Sequence, residues 1–249
     1  MDSLTLILLP VAVLAGFITS IAGGGGIVFV TTAIAIGVEP LNALALNRVT
    51  DLGVLTGSFN NFRKVPHIPL RSLKLFAPLF LFGAIFGASF AVSIPQDILQ
   101  IILICASILA ITLVIVKPQP QLQANKKLLI LGYISIALIG FWDGAIAMAG
   151  TTFFIIAAHY FFGMDYMKAR VVNMFAAIPE TIVSTAILTY HSTVTIMMGA
   201  SLFTAATLGA FIGSKLAVKK GHEFIRTGMI YVSILMIVKL VVYDLVLKS

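Results

Sequence analysis

Charge and cysteine are what this sequence has least of. Ten per cent of its 249 residues are charged, nine are acidic, and one is a cysteine. A soluble domain carries roughly 25% charged residues, because its surface must be solvated. With 60% hydrophobic residues and a mean hydropathy of +1.10, this chain has too little polar surface for water. In lipid the outer face is apolar and the shortage disappears. The lone Cys105 lies inside an apolar run. It excludes an internal disulfide and a cysteine metal cluster, and it reads as a small buried hydrophobe rather than a reactive thiol. The opening MDSL carries an acid instead of a positive n-region, so no cleaved signal peptide is expected. Close histidine–carboxylate clusters, a nucleophile elbow and a serine–histidine arrangement are all missing. No metal, cofactor or enzymatic chemistry is therefore expected. His67 and His222 belong to basic loops, His191 to a turn, and His159 reads as a hydrogen-bonded packing residue.

What the chain does have is a basic surplus, formally +7. A nucleic-acid surface would gather those charges on one water-facing patch. Here they sit between apolar runs: Arg63, Lys64, Arg71 and Lys74; then Lys117, Lys126 and Lys127; then Lys215, Lys219, Lys220 and Arg226. That is the pattern of cytoplasmic loops under the positive-inside bias, and nucleic acid is excluded as a partner.

A membrane-crossing helix needs about 20 apolar residues. Candidates lie at 4–22, 75–94, 97–116, 128–147, 172–190, 195–214 and 227–247. Shorter apolar pieces at 26–37, 49–61 and 150–163 adjoin glycine, proline or polar residues and read as half-length, tilted or re-entrant helices.

Sliding the chain on itself by 126 residues aligns GAIFGASFAV (83–92) with GAFIGSKLAV (209–218), SILAI (107–111) with SILMI (233–237), Gly37 with Gly163, Asn47 with Asn173, and Ser58 with Ser184. Closing a two-residue gap sets LAGFITS (14–20) on LIGFWDG (138–144), which pairs Thr19 with Asp143. Loop 62–74 holds four basic residues where its counterpart near 188–200 has none. Loop 93–98 has none where 219–224 has Lys219 and Lys220. The basic loops have exchanged places, so the expected fold is all-α: one polytopic membrane domain over 1–249 built from two inverted-topology repeats with broken or re-entrant short helices. The halves are 4–116 and 128–247, joined by a cytoplasmic linker at 117–127.

Chemistry concentrates at the short pieces. ITSIAGGGGIVFVTT (18–32) places Gly23, Gly24, Gly25 and Gly26 in a row, which weakens a helix and lets backbone amides approach an anion or another helix. No Gly-Lys-Ser/Thr follows, which excludes a nucleotide loop. Its repeat mate GFWDGAIAMAGTTFF (140–154) holds Asp143 in an apolar stretch and offers Thr151 and Thr152. An acid at that depth marks a cavity or a partner. Asn47 and Asn173 suit hydrogen bonds to a substrate on the pseudo-twofold axis, or equally between helices. Arg48 and Asp51, three apart, neutralise each other or leave the guanidinium for an oxyanion. Pro179 removes an N–H from its helix, and Glu180 beside it is a proton-site candidate with Asp143 and Asp51. Lys168 and Arg170 read as loop charges.

AGFITSIAGGGGIV followed by EPLNALALNR, with GFWDG and KARVVN in the second half, resembles the TauE/SafE sulfite-exporter family over about residues 11–240. The resemblance implies a multi-pass permease of a bacterial inner membrane that exports sulfite or a small organosulfur anion. One departure bears on the site: relatives often have an acid where Thr19 stands, and the second glycine cluster is eroded to AIAMAG. The function expected is a secondary transporter of a small anion, proton-linked, with a passive channel for a small anion or neutral solute as the alternative. The expected partners are a small anionic substrate and the lipid bilayer, and homo-oligomerisation is left open.

Overall fold

Apolar runs punctuated by glycine and proline favour helices with breaks between them, and such helices form. The computed structural model describes residues 3–103, 105, 126–221, 223–225, 227, 228 and 231. Its named helices are α1 (Ser3–Ala22), α2 (Gly25–Ala35), α3 (Pro40–Phe62), α4 (Leu70–Ser93), α5 (Lys126–Ile146), α6 (Gly150–Phe162), α7 (Tyr166–Tyr190) and α8 (Ile196–Lys220). Residues 96–103 are helical as well, and no strand occurs among the described residues. Of the eight, α1, α4, α5, α7 and α8 are long and apolar enough to cross a membrane. The chain is a multi-pass membrane protein.

Local signals set the ends. Pro40 opens α3 with its pre-set φ. The Asp165 side chain caps α7 by accepting from the Lys168 amide at 2.8 Å, and Thr195 caps α8 by accepting from the Met198 amide at 3.3 Å. Gly163, at φ 64°, ends α6 in the left-handed conformation that disfavours side chains. Helices α2 and α6 have 11 and 13 residues. At 1.5 Å per residue they reach roughly 16 and 20 Å, well short of the ~30 Å hydrocarbon layer.

Four expected boundaries are corrected: α4 begins at Leu70 rather than at 75, α8 runs to Lys220 rather than to 214, and α3 and α7 are extended through polar residues. The piece at 49–61 belongs to a 23-residue helix, α3, and the span at 172–190 begins six residues earlier, at Tyr166. Both extensions carry buried polar side chains, including Asn47, Arg48 and Arg170, which lower local hydropathy without ending the helix. Cys105, expected in the interior, is exposed; on a lipid-facing surface an apolar position need not be buried. The segments at 97–116 and 227–247, the linker 117–127 and the SILAI/SILMI pair lie largely or wholly outside the described residues.

Helices α4 and α8 each pack across the middle of the chain. Helix α4 packs on α5 and α7, whereas α8 packs on α1 and α3, and α3 meets α7 at the centre. Glycines make the close approaches. A Cβ at Gly209 of α8 would strike the Val13 carbonyl of α1, and one at Gly213 the Phe17 carbonyl. In the other pair, Gly83 and Gly87 of α4 meet the carbonyls of Ala137 and Phe141 in α5. The glycines of the two pairs are 126 residues apart and the carbonyls they meet are 124 apart. The α3–α8 contact uses Gly53 against Phe203 and Gly57 against Thr207, and Asn61 Nδ2 donates to the Phe211 carbonyl at 3.1 Å. Large apolar residues such as Leu6, Phe82, Phe86, Ile134, Leu138, Leu208 and Ile212 face outward, as lipid contact demands.

Candidate functional site

Between the long helices lie two interruptions. Residues Gly23 and Gly24, at φ 79° and 81°, separate α1 from α2. Their counterparts separate α5 from α6, where Ala147 and Ala149 take φ 54° and 60°. A left-handed non-glycine residue costs of order 1–3 kcal/mol and persists where the surroundings enforce it. Here Asn47 Nδ2 donates to the Ala147 carbonyl at 2.7 Å and Trp142 Nε1 to that of Met148 at 2.8 Å. The eroded glycine cluster therefore still interrupts its helix, with left-handed residues at Ala147 and Ala149 where the intact one has them at Gly23 and Gly24. Neither α2 nor α6 has a side-chain cap at its N-terminus. The two interruptions also touch, for Thr152 Oγ1 donates to the Ala22 carbonyl at 3.1 Å.

A cavity opens where both breaks meet α3 and α7. Thr19, Gly24 and Gly26 line it from the first break, and Asp143, Ala147, Ala149, Gly150 and Thr151 from the second. Helix α3 contributes Arg48 and Asp51, and helix α7 contributes Arg170, Asn173 and Thr181. A helix N-terminus carries a partial positive charge of about half a unit, so the starts of α2 and α6 add positive potential to the guanidinium side of a cavity that Asp51 and Asp143 also line.

Arg48, 1% exposed, is surrounded by acids. Its Nη1 lies 3.1 Å from Glu180 Oε1, 3.3 Å from Asp143 Oδ2 and 3.7 Å from Asp51 Oδ2, and its Nη2 donates to the Asp143 carbonyl. Glu180 is wholly buried and also accepts from Thr181 Oγ1 at 2.9 Å and Ser184 Oγ at 3.1 Å. Burying charges is tolerable only when pairing and hydrogen bonds compensate their lost hydration, and this cluster supplies both. Arg170, 2% exposed, has a different environment. Its Nη2 and Nε donate to the carbonyls of Thr19 at 3.1 Å and Ser20 at 3.2 Å, and its guanidinium lies 5.0 Å from the Phe62 ring centre. Among the described residues it makes no ion pair.

The structure brings together at the cavity Gly24, Gly26, Arg48, Asp51, Asp143, Thr151 and Asn173 of the residues singled out in the sequence. Gly23 and Gly25 form the turn and first residue behind that wall, with Gly25 packed on Thr19 and Ala15. Asn47 ties α3 to the second break and to Asp51 at 3.3 Å, Thr152 ties the breaks to each other, and Glu180 lies beneath the cavity wall. Arg170 corrects the sequence reading: it is a buried member of α7, not a loop charge. The missed signal was periodic. Arg170, Met174, Ala177 and Thr181 recur at i, i+4, i+7 and i+11 and all line the cavity. Lys168 does stay outside, paired with Asp165 at 3.2 Å. His159 Nδ1 bonds the Met164 carbonyl at 2.7 Å and its ring stacks on Tyr166, as a packing residue would.

Comparison with known proteins finds a family and several relatives. The family model described as sulfite exporter TauE/SafE matches residues 8–240. A probable membrane transporter protein, YfcA, of Escherichia coli (strain K12) is 29% identical over 244 residues, covering 96% of this chain and 89% of the relative. The probable membrane transporter protein ORF9 of Sinorhizobium sp is 26% identical over 232 residues, covering 92% and 89%. A probable membrane transporter protein of Haemophilus influenzae is 25% identical over 242 residues, covering 96% and 94%. No solved structure gives a match.

Proposed function

The chain belongs to the sulfite exporter TauE/SafE family and is a membrane transporter, and we propose that it is a secondary exporter of a small sulfur oxyanion, sulfite or an organosulfonate, coupled to protons, in a bacterial inner membrane. The observation that carries this reading is the cavity lined by two buried arginines, by Asn173 and by the N-terminal residues of α2 and α6. Such a wall suits an oxyanion, because guanidinium and backbone N–H groups donate to oxygen and the helix ends favour negative charge. Charge balance supports the proton coupling. Asp51, Asp143 and Glu180 outnumber Arg48 and Arg170 by one, so an anion entering alone adds to a negative surplus in a low-dielectric site. A proton taken up on one carboxyl offsets it. In proteoliposomes, sulfite flux is expected to saturate and to follow an imposed pH gradient. Flux indifferent to the gradient would remove the coupling, and unchanged flux in the Asn47→Ala, Asn173→Ala double variant would remove the site.

The two halves are proposed to cross the membrane in opposite senses, supported by the exchanged basic loops and by the repeat-related packing of α1 with α8 and α5 with α4. In a Cys105→Ser background, a cysteine replacing His67 is expected to react only with reagent on the cytoplasmic side, and one replacing Ser192 only from the opposite side. Reaction of both from one side rules the inversion out.

A further inference from the structure

The two helix breaks make matching contacts and are filled differently. At the second, the Asp143 side chain lies against Gly150, the first residue of α6, while Arg48 Nη1 holds its carboxylate at 3.3 Å and Arg48 Nη2 donates to its backbone carbonyl. At the first, Thr19 is the repeat counterpart of Asp143, and its hydroxyl lies against Gly25, the first residue of α2. Arg170 Nη2 donates to the Thr19 carbonyl at 3.1 Å, as Arg48 does to that of Asp143. Each break thus has a buried guanidinium on the matching carbonyl and a polar side chain on the first helical glycine. Only the second has a carboxylate there. At the first, Arg170 has no ion-pair partner among the described residues. Asn173, 1% exposed and on the cavity wall, leaves its Nδ2 without a hydrogen-bond partner while its Oδ1 accepts from Arg170 Nη1 at 3.4 Å.

We infer that the transported anion binds at the first break, taking against the N-terminus of α2 the place that the Asp143 carboxylate takes against α6. Arg170 is its counter-ion, and the Asn173 amide and Thr19 hydroxyl donate to its oxygens. The inference rests on the transport reading above and narrows it. A position equivalent to that of one carboxylate, beside one guanidinium that makes no ion pair among the described residues, suits a singly charged oxyanion head: a sulfonate, hydrogen sulfite or a carboxylate. A dianion such as sulfate would bring a second charge with no second such cation beside it among the described residues, and that charge would stay uncompensated away from water.

The test uses methanesulfonate as the probe in proteoliposomes of the full chain. The unmodified protein is expected to take it up saturably, with a tenfold excess of sulfate competing poorly. Thr19→Asp tethers a carboxylate at the proposed position and is expected to raise KM by about tenfold or more at neutral pH, a loss of ~1.4 kcal/mol in binding. Thr19→Asn, of similar size but neutral, is expected to be far milder. Asn173→Asp places a negative charge at the same point from α7 and is expected to show the same loss, so it decides the matter if Thr19→Asp does not fold. An unchanged KM in the folded aspartate variants overturns the placement while leaving transport intact. Equal competition by sulfate overturns the preference for a single charge. No saturable uptake of methanesulfonate or sulfite by the unmodified protein overturns the transport reading itself.

Discussion

Replacing Arg48 with glutamine is expected to abolish transport and to destabilise the fold by about 3–5 kcal/mol, the usual consequence of removing one partner from a buried ion pair. The guanidinium stands between Asp51, Asp143 and Glu180, and the Asp143 carbonyl depends on it too. Without it Glu180, which has no exposure to solvent, keeps two hydroxyl donors and loses its only cation within 4 Å among the described residues. The lost Coulomb attraction matters less than the carboxylates left behind, because a buried charge without a partner bears its full desolvation penalty. In detergent, thermal unfolding should fall on the order of 10 °C. Adding Glu180→Gln to the variant removes the orphaned charge and is expected to recover part of that drop. Arg48→Gln melting like the unmodified protein would show that the cluster does not hold α3 to α5 and α7. The same chemistry at the surface predicts little: Lys168 and Asp165 are each about half exposed, so Lys168→Ala should change stability by less than about 1 kcal/mol.

A comparably large loss is expected when a side chain is placed in the glycine seams. In lipid there is no hydrophobic force between helices beyond that between helix and lipid, so association depends on close packing, which small residues allow. Gly209→Leu would drive a side chain into the Val13 carbonyl region of α1, and Gly83→Leu would do the same against Ala137 in α5. Backbone cannot retreat as a flexible side chain can, so each helix pair must separate along its length. The expected loss exceeds the 1–3 kcal/mol typical of overpacking, and the variants should fail to yield monodisperse protein. Gly199 lies in the same helix as Gly209, but a Cβ there would have only Val49 Cγ1 as a neighbour, at 3.7 Å. Gly199→Ala should be tolerated or stabilise by up to about 1 kcal/mol through helix propensity. Size-exclusion profiles and melting temperatures of Gly209→Leu and Gly199→Ala read the contrast directly. Equal behaviour of the two would mean that the seams do not govern the packing.

Much of the fold was legible because membrane proteins write their solvent into their composition. A chain with so few charges and so many apolar residues has one stable setting, and glycine runs next to apolar stretches of 11–13 residues mark interrupted helices wherever they occur. The 126-residue offset has a structural echo, since GAIFGASFAV and GAFIGSKLAV place glycines at the close contacts of α4 with α5 and of α8 with α1. Helix α3 was underestimated for the same reason that others were found. Hydropathy averages over all faces, whereas Asn47, Arg48 and Asp51 occupy faces turned away from lipid.

The sequence by itself determined the membrane setting, the helical class, the two breaks and the acids and asparagines near them, because each follows from composition or from local backbone preference. Only the tertiary structure decided that α4 packs on α5 and α7 and α8 on α1 and α3, that Arg48 gathers Asp143 and Glu180, and that Arg170 is buried against the first break. Those partners lie about 95 to 150 residues apart along the chain. Helical periodicity says which residues share a face, but the other helix against that face is selected by packing. An arginine near a helix start looks the same in sequence whether it meets water or the carbonyls of a broken helix. For Arg170, the fold around it made the difference.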